Sequence, residues 1–277
     1  MKIAYTCFEV SGICNMDCKF CFSEWRKNKK QIDTEKAKHV LDVLKECGLK
    51  AINLTGGEPL LRDDIIELCK YAKQLGLMTI ISTNGILLPK REEVLNYIDA
   101  INLPLDSFTP EIHNEMRPCN MENHHSHVIY LIDYISKNYP KVKIKINTMI
   151  GKKNINEILE IGNLINGKIA KWKLSKFLSS GYGKEFTEQF NITKECFTKV
   201  SEQAKEKFKD TGIIDEDYEI EEDYDLFIDG NARIIQVTEN GLADRGDIDN
   251  LFNLKANNDK NGLWEDYLNK VYEYGGK

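Results

Sequence analysis

Two rhythms alternate along the first 180 residues. Runs that are apolar, or apolar at every second position, recur at residues 3–10, 51–55, 78–83, 101–105, 142–149 and 172–178. A period of two predicts β-strands. Between them apolar residues fall every three or four positions, which predicts helices. Ala37, Val40, Leu41, Leu44 and Cys47 form one such stripe, opened by a cap at Asp33 or Thr34 and closed by Gly48. Ile65, Leu68, Cys69, Ala72 and Leu75 form the next, with Asp64 and Glu67 spaced as a capping box and Gly76 as the stop. Further helices are predicted over residues 90–97, 126–136 and 156–165, with a long loop over 107–123.

Alternating strands and helices predict an α/β fold built on a parallel sheet. Six β/α units are too few for a closed eight-unit barrel. The expected architecture is therefore a partial (β/α)6 TIM-type barrel over residues 1–180, open on one side. The rhythm changes near Ser179. Residues 181–277 are expected to form a small α+β extension packed on the barrel, not an independent domain. Within it the pattern predicts a helix over 193–209, a solvated acidic loop over 215–225, and a hairpin of 226–228 and 233–237 around Asp229-Gly230. A last amphipathic helix would carry Leu263, Tyr267, Leu268 and Val271.

Parallel strands usually read as unbroken apolar runs because both faces are covered. Several strands here alternate instead. Phe8 and Val10 oppose Cys7, Glu9 and Ser11; Ile52 and Leu54 oppose Asn53 and Thr55; Ile101, Leu103 and Leu105 oppose Asn102, Pro104 and Asp106. Ile144 and Ile146 oppose Lys143, Lys145 and Asn147, and Trp172 and Leu174 oppose Lys173, Ser175 and Phe177. The outer helices must cover the apolar faces, so the polar faces turn inward and line a wet cavity. Lys145, Asn147, Lys173 and Ser175 are the cavity candidates, while Lys143 sits where it can reach solvent.

Composition narrows the function. The chain of 277 residues is 42% hydrophobic and 30% charged, with a net charge of −6. A broad basic surface for nucleic acid is excluded. No apolar run approaches the ~18 residues of a spanning helix, and the N-terminus lacks a signal-peptide core. The expected compartment is the cytoplasm, with no membrane partner. Of eight cysteines only three are clustered, which argues against a disulfide framework.

Those three, Cys14, Cys18 and Cys21, stand in the stretch CNMDCKFC, and no fourth follows at a matching interval. A closed zinc site or a complete iron–sulfur ligand set needs four protein ligands. Three thiolates on one loop can hold three corners of a [4Fe–4S] cube and leave one iron open. The stretch alone is equally readable as half a zinc site or as unrelated thiols. A second landmark follows: LTGGEP at residues 54–59.

The cysteine spacing, with Phe20 before Cys21 and GGEP after strand two, resembles the radical S-adenosylmethionine (SAM) superfamily. The resemblance implies a [4Fe–4S] cluster held by Cys14, Cys18 and Cys21, its open iron chelated by SAM. It implies that Gly56, Gly57, Glu58 and Pro59 bind the amino group of SAM, that Ser82 and Asn84 bind its ribose or carboxylate, and that the backbone of Phe20 approaches adenine. Asp106 and Asn147 match strand-end positions that touch SAM in relatives. Asn84-Gly85 is equally readable as a plain turn. That all these residues fall at the C-terminal rim of the strands follows from the strand assignment itself. The implied chemistry is one-electron cleavage of SAM to a 5′-deoxyadenosyl radical that takes a hydrogen atom from a substrate. A flavodoxin- or ferredoxin-type reductant is the implied partner.

Residues 105–118, LDSFTPEIHNEMRP, resemble molybdenum-cofactor cyclases and peptide-modifying members. KINTMI at 145–150 and AKWKLSKFL at 170–178 are similar to viperin, which dehydrates a nucleoside triphosphate. EWRKNKK at 24–30 departs from viperin, and no amphipathic helix precedes strand one. The expected branch is viperin-like or cyclase-like, without an auxiliary-cluster domain. The expected substrate is a nucleotide, with Lys145, Lys173 and Ser175 as its contacts; the lysines suit phosphate as point charges and equally suit Glu9 and Asp106 as internal ion pairs. The alternatives are radical modification of a short peptide or sugar, and a non-catalytic iron–sulfur sensor. Cys119 is a candidate hydrogen-atom donor or simply a packed thiol, and Cys7 either faces the cavity or simply fills space.

Overall fold

The computed structural model describes residues 5–21, 31–216, 225–238 and 241–251. Strands β1 (Tyr5–Ser11), β2 (Ala51–Gly56), β3 (Met78–Ser82), β4 (Ala100–Pro104), β5 (Lys143–Ile150) and β6 (Lys171–Lys176) lie side by side in chain order, each parallel to the next. The crossovers carry α1 (Thr34–Glu46), α2 (Ile65–Gln74), α3 (Pro110–Met116), α4 (His124–Asn138) and α5 (Ile158–Ile165). After β6 come α6 (Thr187–Phe190) and α7 (Lys194–Lys207).

The later chain extends the same sheet at both edges. β7 (Gly212–Glu216) adds in parallel beside β6. β8 (Asp225–Ile228) adds in parallel beside β1, and β9 (Arg233–Thr238) and β10 (Gly241–Asp247) follow antiparallel. The order is β10-β9-β8-β1-β2-β3-β4-β5-β6-β7, and the two ends do not meet. The α/β class and the open partial barrel are as expected. The expected helix through Leu263 to Val271 lies outside the described residues.

Period two sorts the strands into two faces. Phe8, Val10, Ile52, Leu54, Ile81, Ile101, Leu103, Ile144, Ile146, Trp172 and Leu174 join the helix stripes in one core. Inside the barrel, a small apolar plug of Ala51, Ile80 and Ala100, flanked by Tyr5 and Met78, closes the N-terminal end. Above it the interior is polar. α1 starts where Asp33 accepts a hydrogen bond from the backbone N–H of Lys36 at 2.8 Å.

Several local expectations are corrected. The segment 107–123 is not a plain loop: Thr109 in extended conformation and Pro110 at the first helical position start α3. Asp64 does not cap α2 with its side chain; Arg62 and Thr34 hold its carboxylate instead. The helix expected over 90–97 is two 3₁₀ turns, Leu88–Lys90 and Glu92–Asn96. The helix expected from residue 156 opens as a 3₁₀ turn and becomes α-helical at Ile158. The acidic run starts inside β7; residues 217–224 lie outside the described residues. Among the described residues no helix is long and apolar enough to cross a membrane.

Candidate active site at the C-terminal rim

The cysteine loop leaves β1 at Ser11 and is held from three sides. Beneath it, the backbone N–H groups of Gly57 and Glu58 donate to the carbonyls of Ser11 and Ile13, each at 2.7 Å. A Cβ on Gly56 would stand 2.3 Å from the Ser11 carbonyl oxygen, and one on Gly57 2.3 Å from that of Ile13. The two glycines thus make room for the cysteine loop itself. On a second side, Asp17 N–H donates to the Pro118 carbonyl at 2.8 Å and Lys19 N–H to that of Met116 at 3.3 Å. Met16 and Cys119 form a bridge beside them. On the third, Gly183 N–H donates to the Cys21 carbonyl at 2.9 Å.

The three thiols lie close enough to act on one another electrostatically. Burial pushes the Cys18 thiol up to about 12; Arg117 opposes this, while Cys21 and Cys14 add to it. Burial likewise lifts Cys14 to about 11, with Glu58 and Cys21 adding to the rise. Among the described residues no three His, Cys, Asp or Glu side chains converge on a single-ion position.

Glu58 is a hub turned inward. Its Oε1 accepts from Leu60 N–H at 2.9 Å and from the Thr83 hydroxyl at 2.6 Å; Oε2 accepts from Asn84 N–H at 2.7 Å. It is 1% exposed. Burial pushes its carboxyl up to about 7, against the pull of those hydrogen bonds. The carboxylate therefore locks the turn after β2 to the turn after β3. Asn84 carries the tie onward, donating from Nδ2 to Oδ1 of Asn15 in the cysteine loop at 2.7 Å. Its own Oδ1 accepts from Ile86 N–H at 3.0 Å, so Asn84 is both a turn residue and a loop anchor. Pro59 starts the 3₁₀ turn that follows Glu58.

Asp106, at the end of β4, is fully buried. Oδ1 accepts from Met149 N–H at 2.9 Å, and Oδ2 pairs with Nε of Arg117. Arg117 also points Nη1 at the Cys18 sulfur, 3.6 Å away, and lies 4.8 Å over the Phe20 ring. Phe20 sits edge-on to Phe190, with Met116 and Phe177 in the same apolar pad. Behind Asp106, its N–H donates to Nδ1 of His113 at 3.2 Å; His113 Nε2 meets Nδ1 of His124 at 2.8 Å; His124 Nε2 meets the Asn84 carbonyl at 2.8 Å. Sequence reasoning missed Arg117, His113 and His124. The available signals were a single arginine within residues 105–118 and four histidines within residues 113–127.

Deeper in the barrel a polar chain crosses four strands. Asn102 Nδ2 donates to the Ser82 hydroxyl at 2.8 Å, Ser82 donates to Asn53 Oδ1 at 2.9 Å, and Asn53 Nδ2 donates to the Cys7 sulfur at 3.4 Å. Ser82 is thus part of the barrel wall. Burial raises the Cys7 thiol, and the positive charges of Lys173 and Lys145 oppose that rise. Lys145 is 4% exposed, while Lys143 is exposed at the strand start. Lys173 stands beside Asn147 in the sheet register, with Ser175 beside Met149. The Asn147 Oδ1 atom is buried with no hydrogen-bond partner. Cys119 lies against Met16, and its thiol donates to the Met121 carbonyl at 3.5 Å.

Residues 8–165 match the Radical SAM superfamily. The chain belongs to that superfamily. Its cofactors are a [4Fe–4S] cluster and SAM, and its activity is that of a radical SAM enzyme. It is 33% identical over 207 residues to an S-adenosylmethionine-dependent nucleotide dehydratase of Flammeovirga pacifica, covering 70% of each chain. It is 30% identical over 197 residues to a GTP 3′,8-cyclase of Clostridium perfringens, covering 67% of this chain and 58% of that one. Among solved structures it resembles anSMEcpe with bound AdoMet and a peptide, with a TM-score of 0.71 at 16% identity over 97% of this chain and 84% of that chain. Streptococcus suis SuiB bound to S-adenosylmethionine gives a TM-score of 0.69 at 18% identity, over 84% of this chain and 60% of that chain. These two likenesses establish the fold.

The residues of this radical SAM chain suit the superfamily's cofactors. Three soft thiols share one loop and lie close enough to feel one another's charge, a donor set suited to iron and sulfide. The mouth of the barrel lies between that loop and a polar interior, where a buried acceptor on Asn147 awaits a donor.

Proposed function

We propose that the chain is a nucleotide-directed radical SAM enzyme of the viperin-like kind. The observation that carries this reading is the positive charge of Lys145 and Lys173 inside the barrel, beneath the cysteine loop. Two ammonium groups in a confined interior suit a polyanion far better than a neutral peptide or sugar. The relationship to a nucleotide dehydratase at 33% identity supports the same substrate class.

In this reading Cys14, Cys18 and Cys21 hold three irons. Gly56, Gly57 and Glu58 set the height of the cysteine loop above the strands, and backbone carbonyls of this turn with Pro59 accept from the amino group of SAM. Asn84 positions the loop through Asn15, Phe20 flanks adenine, and Asn147 offers its unpartnered oxygen to a SAM hydroxyl or amino group. Asp106 acts through Arg117, and Ser82 through Asn53 and Asn102. When bound, the cluster and SAM together supply the radical that takes a hydrogen atom from the substrate. Lys145, Lys173 and Ser175 fix the phosphates, which holds one sugar hydrogen at a constant place; orientation is the protein's main contribution. Residues 1–180 provide the core, and the extension from 181 onward, by way of Gly183 and Phe190, buttresses the cysteine loop. A small flavodoxin- or ferredoxin-type protein supplies the electron.

The test is anaerobic reconstitution followed by turnover with SAM, dithionite and each nucleoside triphosphate in turn. The expected result is 5′-deoxyadenosine release that rises several-fold with one nucleotide. Release stimulated by peptide or sugar, and by no nucleotide, would overturn the assignment.

A further inference from the structure

Arg117 and Cys18 are set opposite each other by the backbone. The residues flanking Cys18, Asp17 and Lys19, donate their N–H groups to the carbonyls of Pro118 and Met116, which flank Arg117. Two short antiparallel segments are thereby locked with these side chains between them. The guanidinium is fixed again at its far end: Asp106 takes Nε, and Asp106 is itself fully buried and tied to Met149 N–H. The Phe20 ring, 4.8 Å away, covers one face. Nη1 is directed at the Cys18 sulfur at 3.6 Å. A side chain held at both ends, ringed by a carboxylate, an aromatic face and one sulfur, has little freedom to leave.

We infer that Arg117 is a positioning residue that sets the reduction potential of the cluster through its hydrogen bond to the Cys18 sulfur. This rests on Cys18 being a cluster ligand. A donor and a full positive charge at a ligand sulfur draw electron density from the iron and favour the more negative, reduced state. Asp106 opposes part of that charge, so the pair Asp106–Arg117 tunes the effect in two directions. Removing Arg117 lowers the potential; removing the charge of Asp106 raises it.

The experiment is a potentiometric titration of reconstituted, SAM-free protein, with dithionite donating one electron per cluster and the reduced state read by electron paramagnetic resonance. Arg117→Gln is expected to load iron and to show a reduced-to-oxidised ratio about tenfold lower than the parent at the same applied potential, a shift of 59 mV for one electron. Asp106→Asn is expected to shift the ratio the other way. A merely structural role would change iron content and leave the potential of the loaded fraction unmoved. Equal potentials in equally loaded proteins would overturn the proposal. If Arg117→Gln takes up no iron, Asp106→Asn decides: an unchanged or lowered ratio overturns it, and a raised ratio supports it. Failure of the parent protein itself to form a cubane would instead sink the assignment of Cys18 as a ligand.

Discussion

His113 Nε2 lies 2.8 Å from His124 Nδ1, and the partners on either side decide where the protons are. Asp106 N–H occupies His113 Nδ1 as a donor, so His113 must donate from Nε2; His124 then accepts at Nδ1 and donates from Nε2 to the Asn84 carbonyl. Two neutral rings thus join the end of β4 to the turn after β3. Both turns touch the cysteine loop, one through Arg117 and the other through Asn15.

That neutrality makes stability depend on pH. Burial holds His113 well below its ordinary range, helped by Arg117, His124 and His125, and it lowers His124 to about 4 despite its bond to Asn84, with Arg117, His127 and His125 adding to the fall. An unfolded chain takes up these protons below pH ~6.5, and the folded one does not. The contribution is complete at neutral pH and is lost as pH falls from about 6.5 towards 4. For His124 alone this amounts to about 2 kcal/mol at pH 5. Urea midpoints at pH 7 and pH 5 should therefore fall further in the parent than in His124→Asn; parallel behaviour would refute the relay.

Glu58 has the opposite sign. Its carboxyl rises from 4.5 to about 7 on folding. The folded state binds that proton more tightly, so its stabilisation is full below pH ~4.5 and disappears as pH rises through 7, a swing on the order of 3 kcal/mol. Glu58→Gln should abolish this swing. It should also cost about 1–3 kcal/mol, because an amide NH₂ would face the Asn84 N–H, donor against donor. The check is the difference in unfolding free energy between the two proteins at pH 5 and pH 8.

Gly57 should tolerate no side chain. Its Cβ would meet the Ile13 carbonyl oxygen at 2.3 Å and the carbonyl carbon at 2.6 Å, both backbone atoms of the cysteine loop. Gly57→Ala must lift the loop or break the two ladder bonds below it, costing roughly 1–3 kcal/mol. Reconstituted iron content should drop by at least half. Gly48→Ala is the control: it is strained by a φ of +98° but has nothing within 4 Å, so it should cost about 1 kcal/mol and leave iron content unchanged.

How much of this was legible beforehand depends on distance along the chain. The strands and their inward faces were readable because period two is a local signal, and Asn53, Asn102 and Lys145 are buried where it placed them. The cysteine loop and GGEP were readable as short motifs. α3 was not, since a helix of seven residues is too short to declare a period. Arg117 was not, because its partners lie 11 and 99 residues away and nothing local marks either pairing. Asp229-Gly230 announced a hairpin, but the docking of β8 beside β1 is a contact across the whole chain. Glu58 was recognised as important, while the direction it faces is set by Thr83 and Asn84, which only the folded sheet brings near.

The interior lysines offer the sharpest separation of substrate binding from cofactor assembly. Lys145 precedes Asn147 by two residues on β5, and Lys173 stands beside Asn147 on β6. Replacing either with methionine keeps the stem that lines the barrel and removes the charge. A charge-assisted hydrogen bond to phosphate is worth about 1.5–3 kcal/mol, so nucleotide affinity should fall ~10- to 100-fold. Iron content and the low, nucleotide-independent release of 5′-deoxyadenosine should stay as they are, because both lysines lie on β5 and β6 and not on the cysteine loop or the turns bonded to it. Isothermal titration with the stimulating nucleotide under anaerobic conditions measures the first, and iron analysis with product release measures the second. An unchanged affinity in both Lys145→Met and Lys173→Met would remove the phosphate argument, whereas loss of iron in either would show that the interior charge holds the fold.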